Sequence, residues 1–309
     1  MKYVGLEKQI SRNNLRSTLL LFLFPLVILA GVYAFLFFTV DPKAADINSM
    51  FLYVLPFVVG GVLVWFLIAF TSHSAMIKMA TGSSTLERKE NMRVYNLVEN
   101  LCIGVGMAMP KLKIIDSNAL NAFASGINEK TFTVTLTTGI IASLDDNELE
   151  GVIAHELTHI RNRDVRLLII SIVFVGILGF IVQILFRSVL FGGGRRRNKD
   201  SKMDGRVMLI ALAVAVVVYL LSILFKFALS RKREYMADAG AVDMTKNPLA
   251  MASALRKISG NSDLEMKSSD MKQAFIENHP TEKSAFSAIS GLFATHPPII
   301  KRIEFLENM

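Results

Sequence analysis

The sequence predicts a mostly α-helical membrane protein that carries a small β-sheet (α+β), and three observations lead to this fold class. Hydrophobic residues make up 52% of the 309 residues, and four long apolar runs contain no charged residue. Thr131 to Thr137 alternate apolar and hydroxyl side chains, a pattern typical of a strand with one buried face. Residues 145–161 have the apolar spacing of an amphipathic helix. We therefore expect membrane helices together with a domain outside the bilayer.

The four apolar runs are predicted to be membrane spans, because each approaches the roughly 20 residues that cross a bilayer core of about 30 Å. The first run is too long for a signal peptide and lacks a small-residue cleavage site, so we interpret it as a retained anchor. More basic residues precede this run than follow it, which places the amino terminus and the segment after the second run in the cytoplasm. The spans cover about 19–40, 50–71, 167–186 and 207–225.

The last two runs form a hairpin whose topology the charges leave open. Crossing from the cytoplasm puts the connecting loop, residues 187–206, outside, although basic residues are usually found inside. The flanks of the hairpin on the other side are equally basic. We expect a transmembrane hairpin, and the alternative is a hairpin embedded from the cytoplasmic side.

The predicted helix at 145–161 contains the sequence His-Glu-Leu-Thr-His, which is typical of a hydrolytic zinc site. Asp145 and Glu148 give the capping signal at its start. His155 and His159 lie one turn apart on the same face, so both imidazoles can bind one Zn²⁺. Glu156 between them is not a ligand but lies beside the water at the metal and serves as general base. The alternative is a surface helix with two chance histidines, which the motif and its helical context disfavour.

A catalytic zinc needs three protein ligands and an open fourth position. We look for the third ligand on a second helix, where Glu234 and Asp238 lie four residues apart on one face. Glu234 would complete the metal sphere, and Asp238 would accept the ring N–H of His155. The alternative is that residues 231–235 are a solvated charge run at the end of a membrane helix. The chain's other histidines are His73, His279 and His296.

The remaining segments predict a small sheet beside the zinc helix. An exposed sheet edge could bind an extended peptide through backbone hydrogen bonds, although the sequence does not identify the edge strand. After the fourth run, a helix, a polar loop and a segment returning to the site follow. The predicted elements are a helix at Leu86–Met107, strands at Pro110–Asp116 and Thr131–Thr137, a helix at Ala239–Ile258, a loop at Asn261–Glu282 and the returning segment Gly291–Phe305.

The catalytic domain is therefore expected to be discontinuous, with its two halves joined by the hairpin. Both ends of the hairpin lie close in sequence to zinc ligands, which places the metal at the cytoplasmic membrane surface. The predicted regions are 1–72 (amino-terminal transmembrane region), 73–166 (first catalytic half), 167–229 (transmembrane hairpin) and 230–309 (second catalytic half).

Composition excludes other classes of protein. The net charge of +8 comes from basic residues near the span ends, which favours contact with lipid headgroups. Nucleic-acid binding is not expected, since the chain has no basic patch interleaved with aromatic residues and no P-loop. The single cysteine, Cys102, cannot form an intrachain disulfide and is expected to be buried. A transporter is disfavoured because only Gln183 and Arg187 are strongly polar in or beside the third span.

Three motifs together resemble the HtpX heat-shock membrane proteases over nearly the whole chain, in the family's order and spacing. The resemblance implies a gluzincin endopeptidase with one Zn²⁺ bound by His155, His159 and Glu234 and with Glu156 as base. It also implies quality control of misfolded or damaged membrane proteins in the bacterial inner membrane. The motifs are His155 to Asp164, Arg233 to Val242 and Thr295 to Ile303.

The resemblance implies further roles. The segment Asn121, Ala122, Phe123 and Ala124 would lie beside the active-site strands and bind substrate, whereas its alternative role is to close a turn. His296 would approach the zinc and stabilise the oxyanion or block the open position; alternatively, Thr295 caps a helix that has Pro297 in its first turn. Arg302 would pair with Asp238 or a nearby carboxylate.

Expected partners are the lipid bilayer and unfolded or membrane-protein substrates, together with other membrane proteases or further copies of this chain. The alternative function is a membrane chaperone or adaptor with a structural zinc whose fourth position His296 closes.

Overall fold

The computed structural model describes residues 6–41, 45–191, 205–228, 231–259 and 298–309. The protein is mostly helical and contains a small mixed sheet, as the sequence predicts. Within these ranges the elements are α1 (Leu6–Thr39), α2 (Ile47–Thr81), β1 (Ser84–Thr85), α3 (Met92–Val105), β2 (Lys111–Ile115), β3 (Ala122–Ser125), β4 (Thr133–Thr137), α4 (Thr138–Ser143), α5 (Asp146–Arg161), α6 (Asp164–Phe191), α7 (Gly205–Ala228), α8 (Arg231–Thr245), α9 (Pro248–Ile258) and α10 (Ile299–Glu307).

The chain divides into two compact units. The first unit contains the sheet and the helices that surround it, and the second contains most of the apolar helices. The first comprises residues 1–16, 72–169 and 227–309, and the second comprises residues 17–71 and 170–226.

Among the described residues, two helices that lie mostly in the second unit are long and apolar enough to cross a membrane. These segments are Asn14–Thr39 of α1 and Ile47–Ile68 of α2, whose large apolar side chains are widely exposed, such as Tyr53 at 74%. Exposed apolar side chains are expected where a helix faces lipid. Shorter apolar segments, Leu178–Arg187 and Arg206–Leu221, lie in α6 and α7.

The sheet has four strands in the order β1-β2-β4-β3, so that β3 and β1 form its edges. Strands β2 and β4 are parallel, and the other two pairs are antiparallel. All five residues of β4 are buried, so the prediction of a single buried face is wrong. Two hydroxyls of the threonine face find backbone partners, which lowers the cost of burying it: Thr137 donates to Ala119 O at 2.6 Å, and Thr133 donates to Thr131 O at 3.1 Å. The hydroxyl of Thr135 between them is buried without a hydrogen-bond partner among the described residues.

Two predicted helices have different bounds in the structure. Helix α3 begins only at Met92, because Asn91 caps it by accepting the amide hydrogen bond of Val94, and it ends at Gly106 with φ +65°. The segment predicted as a single helix at 239–258 is two helices, α8 and α9. Lys246 breaks it with φ +55°, and Asn247 then caps α9.

Helix α5 lies at the centre of the first unit, and its amino-terminal end is fixed by the predicted capping box. Asp145 accepts from the amide of Glu148, and the Glu148 carboxylate accepts from the amide of Asp145. The same carboxylate accepts from Lys257 Nζ at 2.6 Å and Ser253 Oγ at 2.7 Å, which ties α9 to the start of α5. Burial alone would raise the pKa of Glu148, but Lys257 and Ser253 outweigh it and lower the pKa.

Helix α8 approaches α5 closely at a glycine. A Cβ atom at Gly240 would lie 2.4 Å from Thr158 Cγ2 and 2.8 Å from Thr158 Oγ1. Thr158 cannot easily move aside, since it is buried and its hydroxyl donates to Ala154 O at 2.8 Å. The glycine therefore sets the distance between the two helices.

We expect Gly240→Ala to lower the free energy of unfolding by about 1–3 kcal/mol, the usual cost of overpacking. Because α8 carries Glu234, the predicted third ligand, the substitution should also weaken the predicted binding of zinc. Adding Thr158→Ala to this variant should restore much of the stability and of the zinc affinity, because it removes the two atoms closest to the new Cβ. Thermal unfolding and zinc titration measure these effects.

Gly104→Ala on α3, where an added Cβ meets nothing within 4 Å, is the matched control. If Gly240→Ala and Gly104→Ala changed the stability and the zinc affinity equally, the tight contact at Gly240 would be refuted.

Candidate active site

Helix α5 presents the two histidines of the motif on one face, as their spacing predicts. Their Nε2 atoms lie 3.2 Å apart. His155 is 1% exposed, and the side chain of His159 is 15% exposed. The site therefore opens on the side of His159.

Helix α8 brings a carboxylate to the same point. Glu234 Oε2 lies 3.7 Å from His155 Nε2, and Glu234 Oε1 lies 3.7 Å from His159 Nε2. The three potential ligand atoms all lie within 4.8 Å of one another. In a tetrahedral zinc site with bonds of about 2.0–2.1 Å, the ligand atoms lie about 3.3 Å apart. Two imidazoles and a carboxylate at these distances therefore fit Zn²⁺ in both chemistry and size.

The far side of the His155 ring contacts a second carboxylate of α8. Asp238 Oδ1 lies 3.0 Å from His155 Nδ1, and Asp238 is completely buried. Arg302 of α10 donates to both carboxylate oxygens of Asp238, at 2.9 Å from Nε and 2.6 Å from Nη2. Burial alone would raise the pKa of Asp238, but Arg302 and His155 outweigh it and lower the pKa. The structure thus brings together the three residues that the sequence grouped.

The ring of His159 also has a carboxylate on its far side, which sequence analysis missed. Asp164 Oδ2 lies 3.2 Å from His159 Nδ1. The available signal was its position, five residues beyond the second histidine at the end of the motif. A sequence pattern does not show whether the chain turns back at that point.

Glu156 is buried beside the histidine pair, at 3% exposed. Burial raises the pKa of its carboxyl group; the nearby His155 and His159 oppose the rise, whereas Glu234 adds to it. The backbone amide of Ala124 also opposes the rise. A raised pKa fits the predicted role of Glu156 as general base.

The segment Asn121 to Ala124 contributes to edge strand β3 and does not simply close a turn. Ala122 to Ser125 pair antiparallel with β4, and Phe123 lies opposite Thr135. Asn121 precedes the strand, and its side-chain oxygen accepts from the amide of Ala122 at 2.9 Å. Strand β3 contacts α5, the helix that carries Glu156.

The described residues include only one of the chain's three other histidines. His296, Thr295 and Pro297 lie outside the described residues, as do His279 and the predicted loop at 261–282. His73 lies in α2, where its Nε2 is 3.1 Å from Ser74 Oγ. Cys102 is buried as predicted, and burial raises the pKa of its thiol to about 11.

A histidine pair with an intervening glutamate on one helix and a carboxylate from a second helix define a metallopeptidase. The comparisons with known proteins agree: residues 88–309 match Peptidase family M48. The chain belongs to this family, within the group of HtpX proteases, and is a membrane-bound metalloprotease.

The similar proteins include two from Bacteroides fragilis strains, each described as a "Protease HtpX homolog". Both are 57% identical over the full length of both chains. A protein of the same description from Lactobacillus acidophilus is 33% identical over 98% of this chain and 100% of its own. Among solved structures, the crystal structure of S. mikatae Ste24p has a TM-score of 0.46 at 18% identity and covers 96% of this chain and 66% of that one.

The His155–Asp238 contact predicts how metal binding depends on pH. Burial lowers the pKa of His155, but the carboxylates of Asp238 and Glu234 outweigh it and raise the pKa from 6.5 to about 9. In the metal-free protein, the interaction of protonated His155 with these carboxylates stabilises the folded state. This stabilisation is fully present below pH 6.5 and is lost as the pH rises through about 9. Zinc needs an unprotonated Nε2, so its affinity should rise over the same window by about tenfold per pH unit for one released proton.

Zinc titration between pH 6.5 and 9 in competition with a chelator measures this dependence. Asp238→Asn is the control, because its amide oxygen still accepts the ring N–H without a negative charge. In that variant the rise should end at a lower pH, because the charge of Asp238 no longer raises the pKa of His155. A flat affinity in the unsubstituted chain would contradict the expectation.

Proposed function

We propose that this metalloprotease is a zinc endopeptidase that hydrolyses peptide bonds in misfolded or damaged membrane proteins. One Zn²⁺ would be held by His155, His159 and Glu234, with Glu156 as the catalytic base. The observation that carries the proposal is the convergence of three donor atoms within 4.8 Å of one another beside a buried glutamate.

The roles of the side chains follow from their surroundings. Bound zinc would supply a Lewis acid that polarises the scissile carbonyl and acidifies water. The carboxylate of Glu156 accepts the proton of the attacking water and delivers it to the leaving amine, a cycle that its raised pKa supports. Asp238 keeps the proton of His155 on Nδ1, which leaves Nε2 free to bind the metal.

Strand β3 is the proposed substrate-binding edge. It lies at the border of the sheet and contacts α5, the helix that carries Glu156. A peptide that adds to β3 as a further strand would be held through its backbone, and its scissile bond would pass beside Glu156. Backbone hydrogen bonds accept many side chains, which suits a protease that acts on damaged proteins of varied sequence.

The site is proposed to lie at the cytoplasmic surface of the membrane in a protein with four spans. Helix α6 begins five residues after His159, and α8 begins three residues before Glu234, so both ends of the 167–229 hairpin lead directly into metal ligands. Both ligands must lie on one side of the bilayer, which requires the hairpin to cross twice or not at all. The length and uncharged sequence of both runs favour two crossings.

Thiol labelling distinguishes these topologies. In a Cys102→Ala background, a cysteine at Ser201 should react with an impermeant reagent in intact cells whose periplasm is accessible, and one at Ser143 should not. Ser201 belongs to the loop between the last two runs, outside the described residues, and Ser143 ends α4. Lysis provides the control, since both positions should then react. Protection at both positions before lysis would favour the hairpin that does not cross.

The function itself is tested with the purified full chain and an unfolded protein as substrate. Cleavage should require zinc, stop on chelation and resume when zinc is returned. A protein that only holds substrates would bind the unfolded chain without cutting it. That alternative function depended on His296 as a fourth ligand, a residue outside the described part of the chain.

A further inference from the structure

We propose that Asp164 is a positioning residue of the zinc site, which holds the ring of His159 so that Nε2 points at the metal. This rests on the proposed zinc-dependent function. The Asp164 carboxylate is 3% exposed, and its Oδ2 lies 3.2 Å from His159 Nδ1. A charged acceptor at this distance, shielded from water, favours the tautomer with the proton on Nδ1.

The two ligand histidines then have the same arrangement. Each has a buried carboxylate at Nδ1, Asp238 for His155 and Asp164 for His159. Each directs Nε2 toward the other histidine and toward Glu234. Asp238 lies on α8, the helix that also supplies Glu234, whereas Asp164 follows α5 in the chain.

A tight turn brings Asp164 back to the ring. Arg163 adopts the left-handed conformation with φ +61°, which ends α5 and allows α6 to begin at Asp164. The Arg163 side chain pairs with Glu129 at 3.0 Å and lies 5.3 Å from the centre of the Phe132 ring. These contacts hold the turn against the loop and strand region that precedes β4.

Asp164 also reaches the second zinc-binding helix. Its backbone carbonyl accepts from Arg233 Nη1 at 3.5 Å, and Arg233 directly precedes Glu234. One residue therefore contacts the second ligand through its side chain and the neighbour of the third ligand through its backbone. Because Asp164 is also the first residue of α6, zinc affinity should depend on how the hairpin helix joins the zinc helix.

The test compares Asp164→Ala and Asp164→Asn in the purified full chain. Zinc affinity and the zinc dissociation rate are measured against a chelator, and the visible spectrum of the Co²⁺-loaded protein reports ligand geometry. The matched control is Asp146→Ala: Asp146 is also acidic in the first turn of a helix and pairs with Arg93, on a different part of the unit. Thermal unfolding of each metal-free variant reports structural effects separately.

We expect Asp164→Ala to weaken zinc binding by about 10–100-fold, as is usual for the loss of a hydrogen-bond partner of a ligand, and to change the Co²⁺ spectrum. Asp164→Asn should restore part of the affinity, because its amide oxygen still accepts the N–H of His159. Asp146→Ala should leave affinity and spectrum unchanged. If Asp164→Ala does not fold, the asparagine variant must still bind zinc more weakly than the unsubstituted chain.

Two outcomes overturn the proposal. Unchanged zinc affinity with a lower unfolding temperature would mean that Asp164 only stabilises the start of α6. An equal loss in the Asp146→Ala variant would mean that the effect is not local to the ligand. Failure of the unsubstituted chain to bind one zinc would instead refute the proposed function, and this measurement is made first.

Discussion

Glu156→Gln should reduce proteolysis by about 10²–10⁴-fold or more while zinc content stays at one per chain. The substitution keeps the size of the side chain, but it removes the group that takes the proton. Folding should not suffer, because a neutral amide costs less to bury than a carboxylate in a site that is 3% exposed. The measurement is the initial rate of cleavage of an unfolded protein, with metal content determined on the same sample.

The control is Glu150→Gln, which makes the same chemical change on the same helix. Glu150 is partly exposed, and burial raises its pKa with a further contribution from Asp146, so it shares an elevated pKa without lying at the metal. Its glutamine variant should cleave at the unsubstituted rate. Full activity of Glu156→Gln would refute the mechanism, whereas loss of zinc from it would show that Glu156 acts mainly on the metal.

Glu234→Ala should lose both zinc and activity. Removing a ligand ought to weaken zinc binding by more than the roughly 10–100-fold that is usual when a hydrogen-bond partner of a ligand is removed. Only His155 and His159 would then remain to hold the metal. In addition, Arg302, whose Nη1 lies 3.6 Å from Glu234 Oε2, would lose part of its charge compensation beside the metal site. Zinc titration and cleavage rate together measure the effect.

Asp243→Ala provides the matched control, since Asp243 lies on the same helix with its carboxylate largely exposed and paired with Lys246. This variant should bind zinc normally. If Glu234→Ala kept full zinc affinity, the third ligand would be misassigned. Asp238 would be a poor substitute, because its carboxylate lies at the Nδ1 side of His155, away from the face where the Nε2 atoms meet.

Elements that depend on local spacing can be predicted from the sequence alone. The capping pair at Asp145 and Glu148 specifies where α5 begins, and the helical repeat places His155 and His159 on one face, whatever the surrounding fold. The four-residue spacing of Glu234 and Asp238 likewise places both carboxylates on one face of α8. The apolar runs specify helices, because their composition requires an apolar environment along their full length.

Contacts between distant segments were decided only by the tertiary structure. The break at Lys246 was missed because a single positive φ leaves little trace in the hydrophobic pattern, although the Asn-Pro pair after it is a known start signal. The burial of both faces of β4 depends on its position between β2 and β3, and pairing order is not a property of one strand.

Asp164 reaches His159 only because Arg163 turns the chain back, and Gly240 meets Thr158 only because α8 packs against α5. Helical periodicity fixes which residues share a face, whereas packing fixes which faces meet.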